Sequence, residues 1–206
     1  MKKEKILEVA EELFAEKGFE GTSVRDIAQK ADVNIAMISY YFGSKEKLLE
    51  ALIEMHSGYA TMQLEELKNN HALDPWTKVE KMVDHYVDRL FNHFRFHNIM
   101  SRQISLIHDK QLKERMIHIK MKNLEIIRDI IKEGQKEKLF RKVDIELTVA
   151  TIIGTISQAT LSKYFYCKLL KVDETIGDEA YYHKINTRVK NHLKLLLRAH
   201  LDIKNA

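Results

Sequence analysis

The chain is predicted to be all-α. Three observations carry this: apolar residues recur at spacings of three and four along most of the 206 residues, proline occurs once and glycine seven times, and no segment alternates apolar and polar residues as a half-buried strand would. At 45% hydrophobic residues the chain can fill one or two packed cores, which excludes a disordered chain. A single cysteine, Cys167, excludes an intramolecular disulfide framework. Acids interrupt the N-terminal run MKKEKILEVAEELF where an export signal needs an apolar core, so the expected compartment is the cytoplasm. The longest charge-free stretch, residues 147–162, is 16 residues broken by Thr, Ser, Gly and Gln. A bilayer needs roughly 20 apolar residues, so no membrane partner is expected.

Ile6, Leu7, Ala10, Leu13 and Phe14 set the first helix, and Gly18 suits the left-handed residue that stops it, with Phe19 packing behind. Ser23 to Asp26 reads as a capping box opening a helix to about residue 31, with Val24, Ile27, Ala28 and Ala31 turned inward. Asp32 falls where a tight turn needs positive φ, Val33 anchors that turn, and Asn34 caps a third helix reaching about residue 42. This helix buries Ile38 and Phe42 and leaves Ala36, Ser39 and Tyr40 on a face suited to a major groove. Gly43 ends it, and Ser44 caps a fourth helix running through Leu48, Leu49, Leu52 and Met55. Two short helices joined by a four-residue turn make a helix-turn-helix. Residues 1–47 are therefore read as a three-helix domain, and residues 48–206 as a second helical domain.

In that second domain, Asp74 and Pro75 open a long helix carrying Trp76, Val79, Met82, Val83, Tyr86, Val87, Leu90 and Phe94. A break is expected at residues 96–98 and another near Asp109. Beyond it two stripes run together, Leu112, Met116, Ile119, Ile126 and Ile130 beside Ile117, Met121, Leu124, Ile127 and Ile131, and Gly134 loosens the helix end. Asp144 is expected to cap a helix to about Leu170, and Asp178 the last helix, where Ile185, Val189, Leu193 and Leu196 share a face.

Net charge does not by itself argue for nucleic acid. Residues 1–50 hold eight Lys/Arg against ten Asp/Glu, and the formal +4 arises in the remainder. What bears on phosphates is the placement of Lys2, Lys3, Lys5, Arg25, Lys45 and Lys47, while Glu8, Glu11, Glu12 and Glu16 can occupy another face. The lysines of residues 110–142 are interspersed with acids and read as the solvated face of an amphipathic helix.

Residues 4–50 resemble the tetracycline-repressor (TetR) family. The resemblance rests on Ile6, Ala10, Leu13-Phe14, Gly18-Phe19, Thr22-Ser23-Val24, Asp26-Ile27-Ala28, Ala31, Val33 and the block from Ile38 to Leu48, ISYYFGSKEKL. Asp32 stands where the family often has Gly, and Ile35 and Met37 where polar residues are frequent. The resemblance implies a ligand-responsive transcriptional regulator, a repressor, that binds palindromic operator DNA as a homodimer. By this likeness Thr22, Ser23, Tyr41 and Lys45 fall at phosphate-contacting or neighbouring positions, Lys45 through a backbone amide at a helix start. Arg25, Asn34, Ile35, Ala36, Ser39 and Tyr40 fall at base-facing positions, with Arg25 suited to a bidentate guanine contact or, alternatively, to pairing with a neighbour or phosphate.

One helix-turn-helix reads too few base pairs for specificity, so a dimer surface is required. The expected one is the helix after Asp144 paired with the last helix, through Ile152, Ile153, Ile156, Ala159, Val189, Leu193 and Leu196; the competing reading buries these in the monomer core. The family mechanism implies an effector cavity among the middle helices, for which Tyr86, Arg89, His93, Met100 and Met121 are candidates, although most of that apolar supply is ordinary core. His93 and His97, four apart, admit a metal site, with His108 and His118 farther on, and hence an alternative reading as a helical metalloenzyme. No GxSxG, Walker, dinucleotide or HExxH motif is present, no cofactor is expected, and the reading adopted is not an enzyme. A second alternative keeps the DNA binding and drops the ligand.

Overall fold

The computed structural model describes residues 2–103 and 110–205. Among them are α1 (Lys2–Lys17), α2 (Val24–Ala31), α3 (Ile35–Phe42), α4 (Lys45–Asn69), α5 (Pro75–Asn92), α6 (Phe94–Gln103), α7 (Lys110–Lys136), α8 (Ile145–Leu161), α9 (Lys163–Leu170) and α10 (Asp178–Leu201). A 3-10 turn at Ile203–Asn205 and one isolated bridge, Phe140 to Asp202, complete the described residues, so the chain is all-α as expected.

Two compact units form, divided after residues 59, 94 and 119. The first combines Met1–Tyr59 with Arg95–Ile119, and the second Ala60–Phe94 with Lys120–Ala206. The physical reason is that Phe96, Ile99, Leu112 and Met116 join the apolar cluster of Ile6, Phe14, Ile27, Ile38, Leu48 and Leu52. In the same unit the His56 ring stacks on Phe96 with centroids 4.1 Å apart, and its Nε2 lies 2.8 Å from Glu11 Oε2. Arg115 reaches Glu50 and Glu54 of α4.

The second unit is built around α5. Asp74 caps it, its carboxylate accepting from the N–H groups of Trp76 and Thr77. Val79, Val83, Val87 and Phe91 of α5 pack in one core with Ile130 of α7, Ile152 and Ile156 of α8, and Tyr181, Ile185, Leu193 and Leu197 of α10. An ionic ladder runs along the α5–α10 seam: Glu80 with Arg198, Asp84 with Lys194, and Asp88 with Lys190. The opposed numbering makes these helices antiparallel. Gly134 in α7 serves close approach, since a Cβ there would lie 2.2 Å from the Phe140 ring.

Three boundaries differ from expectation. The break after α5 falls at His93, its C-cap, rather than at residues 96–98. The helix after Asp144 stops at Leu161 and turns by 99° at Ser162 into α9. Its core-facing carbonyls are then taken from outside, Ala159 O and Thr160 O accepting from the Tyr181 and Tyr182 hydroxyls. Asp178 does not cap α10; Gly177 holds that position, and Asp178 pairs with Lys163 at 2.8 Å from within the first turn. No single helix among the described residues is long and apolar enough to cross a membrane.

Candidate nucleic-acid interface

The helix-turn-helix is closed by its own polar groups. Asp26 N–H donates to Ser23 Oγ (3.1 Å), and Ser23 N–H and Oγ–H donate to Asp26 Oδ2 (2.8 and 2.6 Å). These donors hold the exposed Asp26 carboxyl below the ordinary aspartate range, the Ser23 hydroxyl most of all. Asp32 takes the left-handed conformation at φ 56°, and Val33 N–H bonds Ala28 O (3.0 Å). Asn34 Oδ1 accepts from Ala36 N–H (2.8 Å), fixing the start of α3, and Gly43 at φ 83° ends it.

The two helices are anchored inward through Ile27, Ala28, Ala31 and Ile38. Ile35, Ala36, Ser39 and Tyr40 are left on the outer face of α3, with Tyr40 84% exposed. Tyr41 is 36% exposed and packs edge-on against Tyr40. Adjacent residues on a helix diverge by about 100°, yet both rings stay at the surface because α3 buries little besides Ile38. Arg25, exposed on α2, makes no ion pair or hydrogen bond among the described residues, so its guanidinium is available to a partner outside the chain.

Two of the expected phosphate positions are turned inward instead. Thr22 is 1% exposed, and its hydroxyl lies 2.8 Å from Gly18 O and 3.1 Å from Leu13 O. A buried hydroxyl that donates to backbone carbonyls does not reach a phosphate, which corrects the expectation for this side chain. The Lys45 ammonium donates to Phe19 O (2.9 Å) and Thr22 O (3.1 Å) and lies 4.3 Å from the Phe19 ring centre. The expectation for Lys45 concerns its backbone N–H, which stands at the start of α4. Ser23, half of the capping box, stays exposed.

A model of the N-terminal region of the bacterial regulatory proteins of the tetR family matches residues 6–52. The probable HTH-type transcriptional regulator YttP of Bacillus subtilis is 30% identical over 184 residues, spanning 89% of this chain and 87% of that protein. The chain belongs to the TetR family. This TetR-family chain is also similar to the HTH-type transcriptional repressor NicS of Pseudomonas putida, 31% identical over 160 residues, or 73% of this chain and 71% of that one. Among solved structures it matches the fatty acid degradation regulator FadR of Bacillus halodurans with a TM-score of 0.71 at 22% identity, covering 96% of both chains. It matches the FadR regulator of Bacillus subtilis, solved with stearoyl-CoA, with a TM-score of 0.69 at 21% identity, covering 92% of this chain and 96% of that one. At those identities the likeness shows a shared fold. As a TetR-family member the chain is a DNA-binding transcriptional regulator and not an enzyme.

The candidates outside the helix-turn-helix are sorted by burial. Tyr86 and Arg89 lie half-buried on α5; burial raises the Tyr86 phenol and lowers the Arg89 guanidinium from their ordinary values. His93 is exposed at the end of α5, Met100 packs in the first unit's apolar cluster, and Met121 is 46% exposed on α7. Of these five, only Tyr86 and Arg89 are half-buried together on one helix. The break at His93 removes the single helical turn that would present His93 and His97 together, and no group of three metal-ligating side chains occurs among the described residues. His118 is exposed, and His108 lies outside the described residues.

The expected dimer residues divide by burial. Ile152, Ile156, Ala159, Val189 and Leu193 are buried within their own chain, Ile153 is half-buried, and Leu196 is exposed. The sequence reading followed the apolar stripe, and that stripe faces the monomer core. On the outer faces of the same helices Leu147 (66%), Leu161 (42%) and Leu195 (70%) are exposed. Leu147 and Leu161 lie in helical register with Ala150 and Gly154.

Proposed function

We propose that the chain represses transcription as a homodimer on a palindromic operator, acting in the cytoplasm, and leaves the operator when a small molecule binds the second unit. The observation that carries the DNA reading is the outer face of α3 together with the unpaired Arg25 guanidinium. A bidentate Arg–guanine contact supplies specificity, Ser39, Tyr40 and Asn34 add polar contacts, and Ile35 and Ala36 suit thymine methyl groups. Tyr41, Ser23 and the Lys45 backbone N–H suit phosphates. Support for repression comes from NicS, named a repressor, and for a ligand from the neighbour solved with stearoyl-CoA.

The dimer reading rests on exposed apolar surface. Leu147, Leu161, Leu195 and Leu196 are exposed beside Ala150 and Gly154, and a Cβ at Gly154 would meet nothing within 4 Å. Helices α8 and α10 lie side by side, joined by Thr148 Oγ1 and His200 Nε2 at 3.0 Å and by the Tyr181 hydroxyl on Ala159 O at 3.0 Å. Contiguous apolar surface of this kind is covered in soluble proteins, and two copies of a paired helix face form a closed, self-complementary interface.

Selection of genomic fragments by the purified protein, repeated with Arg25→Ala, tests the reading. The expected result is a palindromic site in which Arg25→Ala relaxes one position per half-site, losing about 1–3 kcal/mol of discrimination there. No enriched sequence at moderate salt overturns it.

A further inference from the structure

Lys78, Met82, His85 and Arg89 share one stripe of α5, because eleven residues return a helix to within about 20° of the same direction after about 16 Å. Lys78, at the lower end, shows how this stripe holds a cation. It is 0% exposed, and its ammonium donates to both carboxylate oxygens of Glu133 (2.9 and 2.8 Å) and to Lys68 O (3.0 Å). Three turns farther on, Arg89 has no counterpart. Among the described residues its guanidinium makes no ion pair and no hydrogen bond. The α5 carboxylates are engaged with α10: Glu80 by Arg198, Asp84 by Lys194, and Asp88 by Lys190 and Asn186.

Tyr86 and Arg89, three residues apart on α5, are both half-buried. Water reaches part of Tyr86 and Arg89, yet enough protein encloses them that burial opposes ionisation of both. On the same stripe His85 Nδ1 is buried with no hydrogen-bond partner, and Met82 supplies apolar surface. A half-buried guanidinium with no partner in its own chain is free to pair with a ligand, and its planar fork is the side-chain shape that best matches a carboxylate or phosphate.

We propose that Arg89, with the Tyr86 hydroxyl beside it, binds the acid group of a small apolar acid, a carboxylate or a phosphate monoester. This rests on the effector reading above and names the chemical class of that effector.

The test measures binding of decanoate, decyl phosphate and 2-naphthoate to the full chain by calorimetry, below their micellar concentrations, against decanol and 2-naphthol. The same titrations are run on Arg89→Gln and Tyr86→Phe. The acids are expected to bind at least about ten-fold tighter than the matched alcohols, as a charge-assisted hydrogen bond requires. Arg89→Gln should erase that preference while leaving alcohol binding and the unliganded melting temperature undiminished, and Tyr86→Phe should reduce it in part. Decanoate against decyl phosphate separates the two acid types. Equal binding of acid and alcohol, no acid binding at millimolar concentration, or an acid preference retained in both variants overturns the proposal. Operator affinity measured alongside keeps the two readings apart. Acid binding through Arg89 without operator release sinks the effector reading alone, and release by the alcohols with no role for Arg89 sinks only the acid.

Discussion

Replacing Thr22 by Val separates a structural hydroxyl from a DNA-contacting one. The two side chains have nearly the same shape, so the change removes one O–H and puts a methyl against Gly18 O and Leu13 O, 2.8 and 3.1 Å from the hydroxyl oxygen. Gly18 follows the last residue of α1, where carbonyls have lost their helical donors. With Thr22 1% exposed, water does not replace the lost donor. A lost hydrogen bond that leaves a buried acceptor unsatisfied costs about 1–3 kcal/mol, so Thr22→Val is expected to destabilise the first unit by about 2 kcal/mol. Urea unfolding followed by far-ultraviolet circular dichroism measures this, and Thr22→Ser, which keeps the hydroxyl, should recover most of it. Operator affinity at 15 °C, where both proteins are folded, should change less than about two-fold, against the roughly ten-fold or greater loss that a missing hydrogen bond to a charged phosphate brings. Unchanged stability together with a ten-fold weaker operator complex would refute the inward placement.

Lys45→Met removes an ammonium shared by Phe19 O and Thr22 O and stacked on the Phe19 ring; it should cost about 1–3 kcal/mol in urea unfolding while leaving base preference in the selected sites unaltered. Lys78→Met strands the Glu133 carboxylate and Lys68 O. Because Glu133 is 32% exposed and relaxes toward water, the loss should be about 3 kcal/mol, the low end for breaking a buried pair. The double variant Lys78→Met, Glu133→Leu should regain much of it in the same assay. The Asp26 carboxyl, held below its ordinary value of 3.8 by Ser23, gives the α2 cap a stability present above that value and lost as the pH falls through the lower folded one. A carbon-detected NMR titration should place its midpoint below 3.8, and Asp26→Asn should flatten the acid limb of the stability curve.

The helix-turn-helix was legible because each boundary is written in local chemistry. The Ser23–Asp26 box, Asp32 in the left-handed region, the Asn34 cap and Gly43 act within four residues of themselves, so spacing alone locates them. The Asp144 cap was equally plain, but the turn at Ser162 was not, since the hydroxyls that take the carbonyls before it belong to Tyr181 and Tyr182, 22 residues on. The inward hydroxyl of Thr22 and ammonium of Lys45 were hidden for the same reason: a side chain's polarity gives no direction until its acceptors are placed. Val189 and Leu193 show the matching limit for apolar residues, because a hydrophobic stripe reads alike whether its own chain or a second copy covers it. Arg89 differed. Its reading as a polar group on the stripe of Tyr86 placed it correctly, and only the engagement of Glu80, Asp84 and Asp88 elsewhere revealed that it is unpaired.

The same question of which charges are engaged bears on the proposal that residues 1–50, with more acids than bases, meet DNA. Glu12 takes Lys30 at 2.9 Å, Glu11 faces His56, Asp26 accepts from Ser23, and Glu50 lies against Lys47 and Arg115. Those acids have partners within the chain, whereas Arg25 is unengaged among the described residues and Lys2, Lys3 and Lys5 stay exposed. The Lys3 ammonium lies 5.7 Å from the ring of Phe42 at the end of α3, which brings the cationic start of α1 to the recognition helix. A phosphate therefore meets a local excess of cations that the summed charge conceals. Changing Lys2, Lys3 and Lys5 together to Gln should weaken every duplex alike and make the salt dependence of log K shallower by about 0.9 for each lysine that neutralises a phosphate. Glu12→Gln should leave that slope unchanged, because its partner Lys30 keeps a second carboxylate, Glu16, at 3.9 Å. A slope that follows the summed charge of the domain, shifting equally in both variants, would show that the distribution of engaged charges is not what the duplex reads.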